Sequence, residues 1–197
     1  MNWIYDHYIE ILGAFFGFLF LYFEIKENIL LWPTGILTSA FYIYVFMTSK
    51  FYADMSLQLY YLVISTYGWV TWYKGKTNGE KKELPITKVS SQLWIKLTLV
   101  TMAIYIFIAW ILVQYTDSPL PYWDAFTTAC SITATWMLVH KYIEQWLVWI
   151  VVDAISLGLY LYKGLYPTSV LFLAYTILAI IGYIQWKKSL ISSQTAG

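Results

Sequence analysis

The chain has 197 residues, of which 60% are hydrophobic, 21% aromatic and only 12% charged, where an ordinary soluble domain carries roughly 25% charged residues. Twelve basic and eleven acidic side chains cannot cover a water-soluble domain of this size, and a net charge of +1 gives no electrostatic footprint for nucleic acid. A soluble globular protein, a disordered chain and a nucleic-acid binder are thereby excluded, leaving an all-α integral membrane protein, one transmembrane domain over residues 1–197.

The chain opens Met-Asn-Trp-Ile-Tyr-Asp-His, with no basic n-region and no small-residue cleavage site, so its first segment is expected to be retained and not cleaved as a signal peptide. A bilayer core takes about 20 apolar residues per helix. Seven spans are predicted on that criterion, at approximately 8–25, 29–48, 55–73, 92–115, 123–139, 146–162 and 169–186. The stretch from Lys74 to Ser91 is the one long hydrophilic loop, and Pro119, Pro121 and Pro167 break the chain between later spans. Near the ends of spans, Trp3, Trp72, Trp123 and Trp186 read as interfacial belt anchors. Pro33, with Gly35 beside it, reads as a bend or a close-packing point in the second span.

The chain has no arginine, so orientation rests on lysine. With the N-terminus outside, the outer face holds only Lys50 and Lys163. The inner face then holds Lys26, Lys74, Lys76, Lys81, Lys82, Lys88, Lys96, Lys141, Lys187 and Lys188. This asymmetry predicts an outer N-terminus and a cytoplasmic C-terminus.

Sliding the sequence over itself by 114 positions aligns Glu10 with Asp124, Trp32 with Trp146, Tyr52 with Tyr166 and Tyr61 with Tyr175. The same offset aligns Gly68 with Gly182, Trp72 with Trp186 and Lys74 with Lys188. Spans one to three (about 8–73) therefore read as a repeat of spans five to seven (about 123–186), with the fourth (about 92–115) as connector. A shift of four spans keeps orientation, so the two three-helix repeats are expected to be parallel, a layout that suits a transporter. A duplicated membrane anchor without a path is the plainer alternative.

The most informative stretch runs from Gln145 to Asp153. Trp146, Trp149 and Asp153 fall at i, i+3 and i+7, on one face of the sixth span. A mid-span aspartate costs on the order of 2.5–3.5 kcal/mol, so it is expected to face a wet cavity, a partner or a ligand. Two indoles beside a carboxylate suit a flat ring of cationic character. An interhelical structural bond is the competing reading of Asp153. Ser39 is its mate in the first repeat and is free to bond its own backbone. Gln58 is placed to read a polar substrate edge or to glue helices together. Glu10 and Asp124 read as favourable charges at helix N-termini, and His140 as interfacial. No metal set, phosphate loop or catalytic triad stands in the sequence, and lone Cys130 offers no disulfide. No cofactor and no nucleic-acid partner are expected.

Trp146-x-x-Trp149-x-x-x-Asp153 resembles the WxxWxxxN signature of the PnuC family of bacterial vitamin transporters. Its setting is also similar: Tyr122-Trp123-Asp124-Ala125-Phe126, Gly164-Leu165-Tyr166, Phe51-Tyr52-Ala53 and Tyr67-Gly68-Trp69. The resemblance covers nearly the whole chain. It implies a seven-helix core laid out like the SWEET sugar transporters, often assembled as a homotrimer in the inner membrane. Members carry unphosphorylated nicotinamide riboside, thiamine or riboflavin by facilitated diffusion, and a cytoplasmic vitamin kinase then traps the product. By resemblance Trp149 contacts the substrate, Trp146 and Gln58 lie near the pocket, and Asp153 stands where the nicotinamide riboside group has asparagine. On that departure thiamine is the favoured substrate, since it pairs a cationic thiazolium with an amino donor; nicotinamide riboside is the alternative. A non-transporting receptor or scaffold and an intramembrane enzyme are the other classes, and a lone mid-span aspartate argues against the enzyme.

Overall fold

A computed structural model describes residues 2–48, 52–75, 84–162, 164 and 166–195. Among the described residues are seven helices: α1 (Asn2–Ile25), α2 (Leu31–Thr48), α3 (Tyr52–Lys74), α4 (Ser91–Tyr115), α5 (Pro121–Val139), α6 (Gln145–Tyr162) and α7 (Tyr166–Thr195). They form two compact units, Met1–Leu84 and Pro85–Gly197, so the expected connector α4 belongs to the second. Among the described residues three helical stretches are long and apolar enough to cross a membrane. These are Ser91–Tyr115, Gln145–Tyr162 and Thr168–Ser192, with mean hydropathy 2.2, 1.4 and 1.7. The other helices are rich in Tyr, Trp, Ser and Thr, whose polar ends lower hydropathy although their bodies bury well. Lys50, Lys76, Lys81, Lys82, Lys163, Phe51 and Leu165 lie outside the described residues.

In the first unit α1 packs on α2 and α2 on α3. The α1 helix ends where Glu27 takes φ 54°, a left-handed backbone, and the Asn28 amide donates to the Phe23 carbonyl at 2.8 Å. That six-to-one closure is the usual way of satisfying the last carbonyls of a helix. Asn28 Oδ1 then accepts from the Leu30 amide at 2.9 Å, starting α2. Pro33 falls in the first turn of α2, where a missing N–H costs nothing, so it does not kink the helix. Gly35 gives the close approach: a β-carbon there would meet Phe20 at 2.9 Å and Ser65 Oγ at 3.0 Å.

In the second unit α4 packs on α5, α5 on α6 and α6 on α7. Ser90 caps α4, its Oγ accepting from the Leu93 amide at 3.3 Å. Thr101 and Thr133 join α4 to α5 through a 2.6 Å hydroxyl pair. Ile95, Leu99, Val100, Ile106 and Phe107 leave α4 exposed, as a lipid-facing helix requires. The strand-like Thr87 pairs in parallel with Tyr142: its amide donates to the Lys141 carbonyl at 3.1 Å, and the Ile143 amide donates to its carbonyl at 3.0 Å. Glu144 Oε2 accepts from the Val89 amide at 3.1 Å, completing the clip over a core of Val89, Leu97 and Met137.

The α5–α6 turn closes with the same six-to-one bond as the α1–α2 turn. Lys141 takes φ 51°, and the Tyr142 amide donates to the Met137 carbonyl at 3.0 Å. Each member of this set stands 114 residues after its counterpart.

Three expectations need correction. Helix α1 begins at Asn2, so Glu10 lies inside the helix and not at its N-terminus; Asp124 alone sits in a first turn. Trp72 and Trp186 are buried (8% and 0% exposed), not belt anchors, because each meets another tryptophan edge to face. Trp123, at 50% exposed, keeps the anchor reading. Finally, α7 runs on to Thr195, since no glycine or proline follows Lys188 before it.

Candidate substrate-binding site

Helix α6 starts at Gln145, in the turn built around Lys141, which sets the faces of everything after it. Asp153 sits halfway along α6, only 6% exposed. Among the described residues its carboxylate makes no hydrogen bond or ion pair. The structural-bond alternative therefore has no partner to name within the described residues. Trp149, one turn before Asp153, is half-buried and keeps part of its ring accessible. Trp146, a further turn back, is 0% exposed, with no ring face left for a ligand.

One residue was missed in the sequence. Ser156, one turn after Asp153, is 7% exposed and its hydroxyl has no partner among the described residues. This sets it apart from Thr101, Thr133, Thr135 and Thr176, whose hydroxyls all return to the carbonyl four residues back. Its i+3 spacing from Asp153 was the available signal. Trp149, Asp153 and Ser156 thus line one face of α6 with an aromatic plane, a carboxylate and a hydroxyl, the groups that would hold a flat cation bearing hydroxyls.

In the first unit Ser39 is 2% exposed and Gln58 half-buried on α3; neither side chain has a hydrogen-bond partner among the described residues. Position 35, the counterpart of Trp149, is glycine covered by Phe20. At that position the aromatic plane therefore has no equivalent, and the acid is replaced by Ser39. His140 is half-buried, its ring 4.1 Å from Trp136 and stacked on Tyr142 at 6.0 Å, with Nδ1 2.9 Å from the Trp136 carbonyl. Rings thus hold it in the α5–α6 turn.

Polar and ionisable groups buried on apolar helices mark substrate and ion pathways in membrane proteins. The chain belongs to the family described as the nicotinamide mononucleotide transporter, whose model matches residues 7–188. It is therefore a multi-pass inner-membrane transporter of the PnuC type. It is 23% identical over 207 residues to the nicotinamide riboside transporter PnuC of Escherichia coli (strain K12), covering 92% of this chain and 86% of that protein. The nicotinamide riboside transporter PnuC of Neisseria mucosa is 27% identical over 194 residues, covering 93% of this chain and 73% of its own. A crystal structure of the vitamin B3 transporter PnuC is similar with TM-score 0.75 and 26% identity, over 95% of this chain and 83% of that one.

Proposed function

We propose that the protein carries nicotinamide riboside across the inner membrane by facilitated diffusion, with phosphorylation by a cytoplasmic kinase retaining the product. The observation that carries this is Asp153, a mid-helix carboxylate, 6% exposed and without a partner among the described residues, on one face with Trp149. A buried carboxylate left unpaired is costly, and a cationic ligand offsets that cost. The pyridinium of nicotinamide riboside supplies the charge and a flat ring for Trp149; its ribose supplies hydroxyls for Ser156 and Asp153. Gln58 and Ser39 stay as candidate substrate contacts of the first unit, and Trp146 has no exposed face to join Trp149 and Asp153.

The relatives' substrate is the reason for preferring nicotinamide riboside over thiamine. The thiamine expectation rested on Asp153 replacing asparagine, and a carboxylate accepts every hydrogen bond that the asparagine oxygen accepts. Thiamine stays as the second reading because the extra charge suits its thiazolium equally.

The shared 114-residue offset of the two turns supports a duplicated three-helix bundle with α4 as connector. In our reading the repeats are parallel, the N-terminus is outside, the C-terminus is cytoplasmic and the assembly is a homotrimer.

The test is uptake of radiolabelled nicotinamide riboside, thiamine and riboflavin into proteoliposomes. Saturable flux of nicotinamide riboside, with counterflow and little uptake of the others, is expected. Saturable binding without flux would make the protein a receptor, and flux of thiamine alone would overturn the substrate assignment.

A further inference from the structure

Trp146 is part of the signature stretch, yet its ring is spent elsewhere. The far edge of the indole lies on Gly182 of α7, so that a β-carbon built there would come within 2.6 Å of Cζ2 and Cζ3. One turn further along α7, Trp186 closes on the same ring edge to face, with centroids 5.6 Å apart and planes at 87°. Trp146 and Trp186 are both 0% exposed. Small residues at helix contacts let backbones approach, and here the space left by a glycine is filled by an indole from the neighbouring helix.

The first unit contains the same lock. Trp32 of α2 lies on Gly68 of α3, where a β-carbon would fall 2.5 Å from Cζ2 and Cζ3, and Trp72 meets it at 5.4 Å and 89°. In both, the indole N–H is buried with no acceptor among the described residues. Leaving a donor unpaired opposes burial. A phenyl ring would avoid that penalty, so the selected property is the indole's longer reach to the glycine, not its polarity.

We propose that Trp146 is a positioning residue. Its contact with Gly182 fixes the roll of α6 against α7, and so the direction in which Trp149 and Asp153, one and two turns further on, face the substrate. Trp32 on Gly68 sets α2 against α3 in the same way. A roll of α6 re-aims every side chain on its face together, because successive residues are about 100° apart on a helix. This assignment rests on the proposed site for its binding readout; the lock itself does not.

The experiment is a double-mutant cycle of Trp146→Phe and Gly182→Ala, read by calorimetric affinity for nicotinamide riboside in detergent and by melting temperature. The shorter ring of Trp146→Phe leaves a gap over Gly182 and is expected to lower both. Gly182→Ala alone is expected to be worse, because its methyl meets the intact indole. Added to Trp146→Phe, however, the alanine fills the gap. It should restore affinity by about three- to a hundredfold, the coupling range for touching residues, and raise the melting temperature with it. If Gly182→Ala alone does not accumulate, Trp146→Phe compared with the double variant decides. The proposal is overturned if the alanine restores nothing in the Phe background. It is also overturned if Trp146→Phe loses affinity at an unchanged melting temperature, which would put its ring on the ligand. Should the wild type bind thiamine and not nicotinamide riboside, the substrate assignment fails, while the same cycle run with thiamine still decides the role of Trp146. The Trp32→Phe and Gly68→Ala cycle should show the same coupling in melting temperature.

Discussion

Glu27 and Lys141 hold the same left-handed backbone, φ 54° and 51°, at the two turns that launch α2 and α6. Neither is glycine, so each turn carries roughly 1–2 kcal/mol of steric cost. The surroundings differ: Glu27 is only half-buried, whereas Lys141 is 3% exposed. Glu27→Gly should therefore stabilise the protein by up to about 1 kcal/mol. Lys141→Gly should destabilise it, because the buried stem of the lysine is lost with its packing. Melting temperatures of both variants in detergent check the pair, and a common sign would show that backbone strain does not decide either position.

Asp153→Ala should weaken nicotinamide riboside binding by about ten- to a hundredfold. A charge-assisted hydrogen bond in a dry site contributes roughly 1.5–3 kcal/mol, and 1.4 kcal/mol is tenfold. Asp153→Asn keeps size and one acceptor but removes the charge that pairs with the pyridinium, and should weaken nicotinamide riboside binding by less than Asp153→Ala, about three- to tenfold. Parallel titration with thiamine separates the two vitamins. A site tuned to the thiazolium by charge would lose thiamine on Asp153→Asn, and a variant that bound every ligand equally badly, with a lowered melting temperature, would make Asp153 a structural residue.

Trp149→Ala should cost roughly 1–3 kcal/mol of binding, the worth of a ring stacked on a flat ligand. Trp149→Phe should regain part of it. Tryptophan fluorescence quenching by the ligand offers a second readout, and full affinity in Trp149→Ala would remove the ring from the site.

Uptake should not depend on ion gradients. Among the residues whose side chains are described, Asp153 is the one carboxylate in mid-helix, and α6 carries no histidine, lysine or arginine to form a proton relay with it. Vesicles with and without proton or sodium gradients should reach the same internal concentration. Accumulation above equilibrium that an ionophore abolishes would refute uncoupled transport.

Much of this protein was legible in the sequence because a bilayer makes local properties decisive. A spanning helix must satisfy its own backbone, so apolar length alone locates α4, α6 and α7. Periodicity alone puts Trp149 and Asp153 on one face, and a fixed offset of 114 pairs Trp32 with Trp146 and Gly68 with Gly182. What one-dimensional reading could not decide was what each side chain meets on a neighbouring helix. Trp72 and Trp186 stand at span ends like belt anchors, yet Gly68 and Gly182 open room for the indoles that bury them. Trp146 and Trp149 look alike in sequence, three residues apart. Packing against α7 takes the first ring completely and leaves the second partly open, because only Trp146 lies over a glycine. Ser156 gained its interest in the same way: its hydroxyl is unbonded within the described residues while the helix threonines bond their own carbonyls, a fact that exists only once the chain is folded.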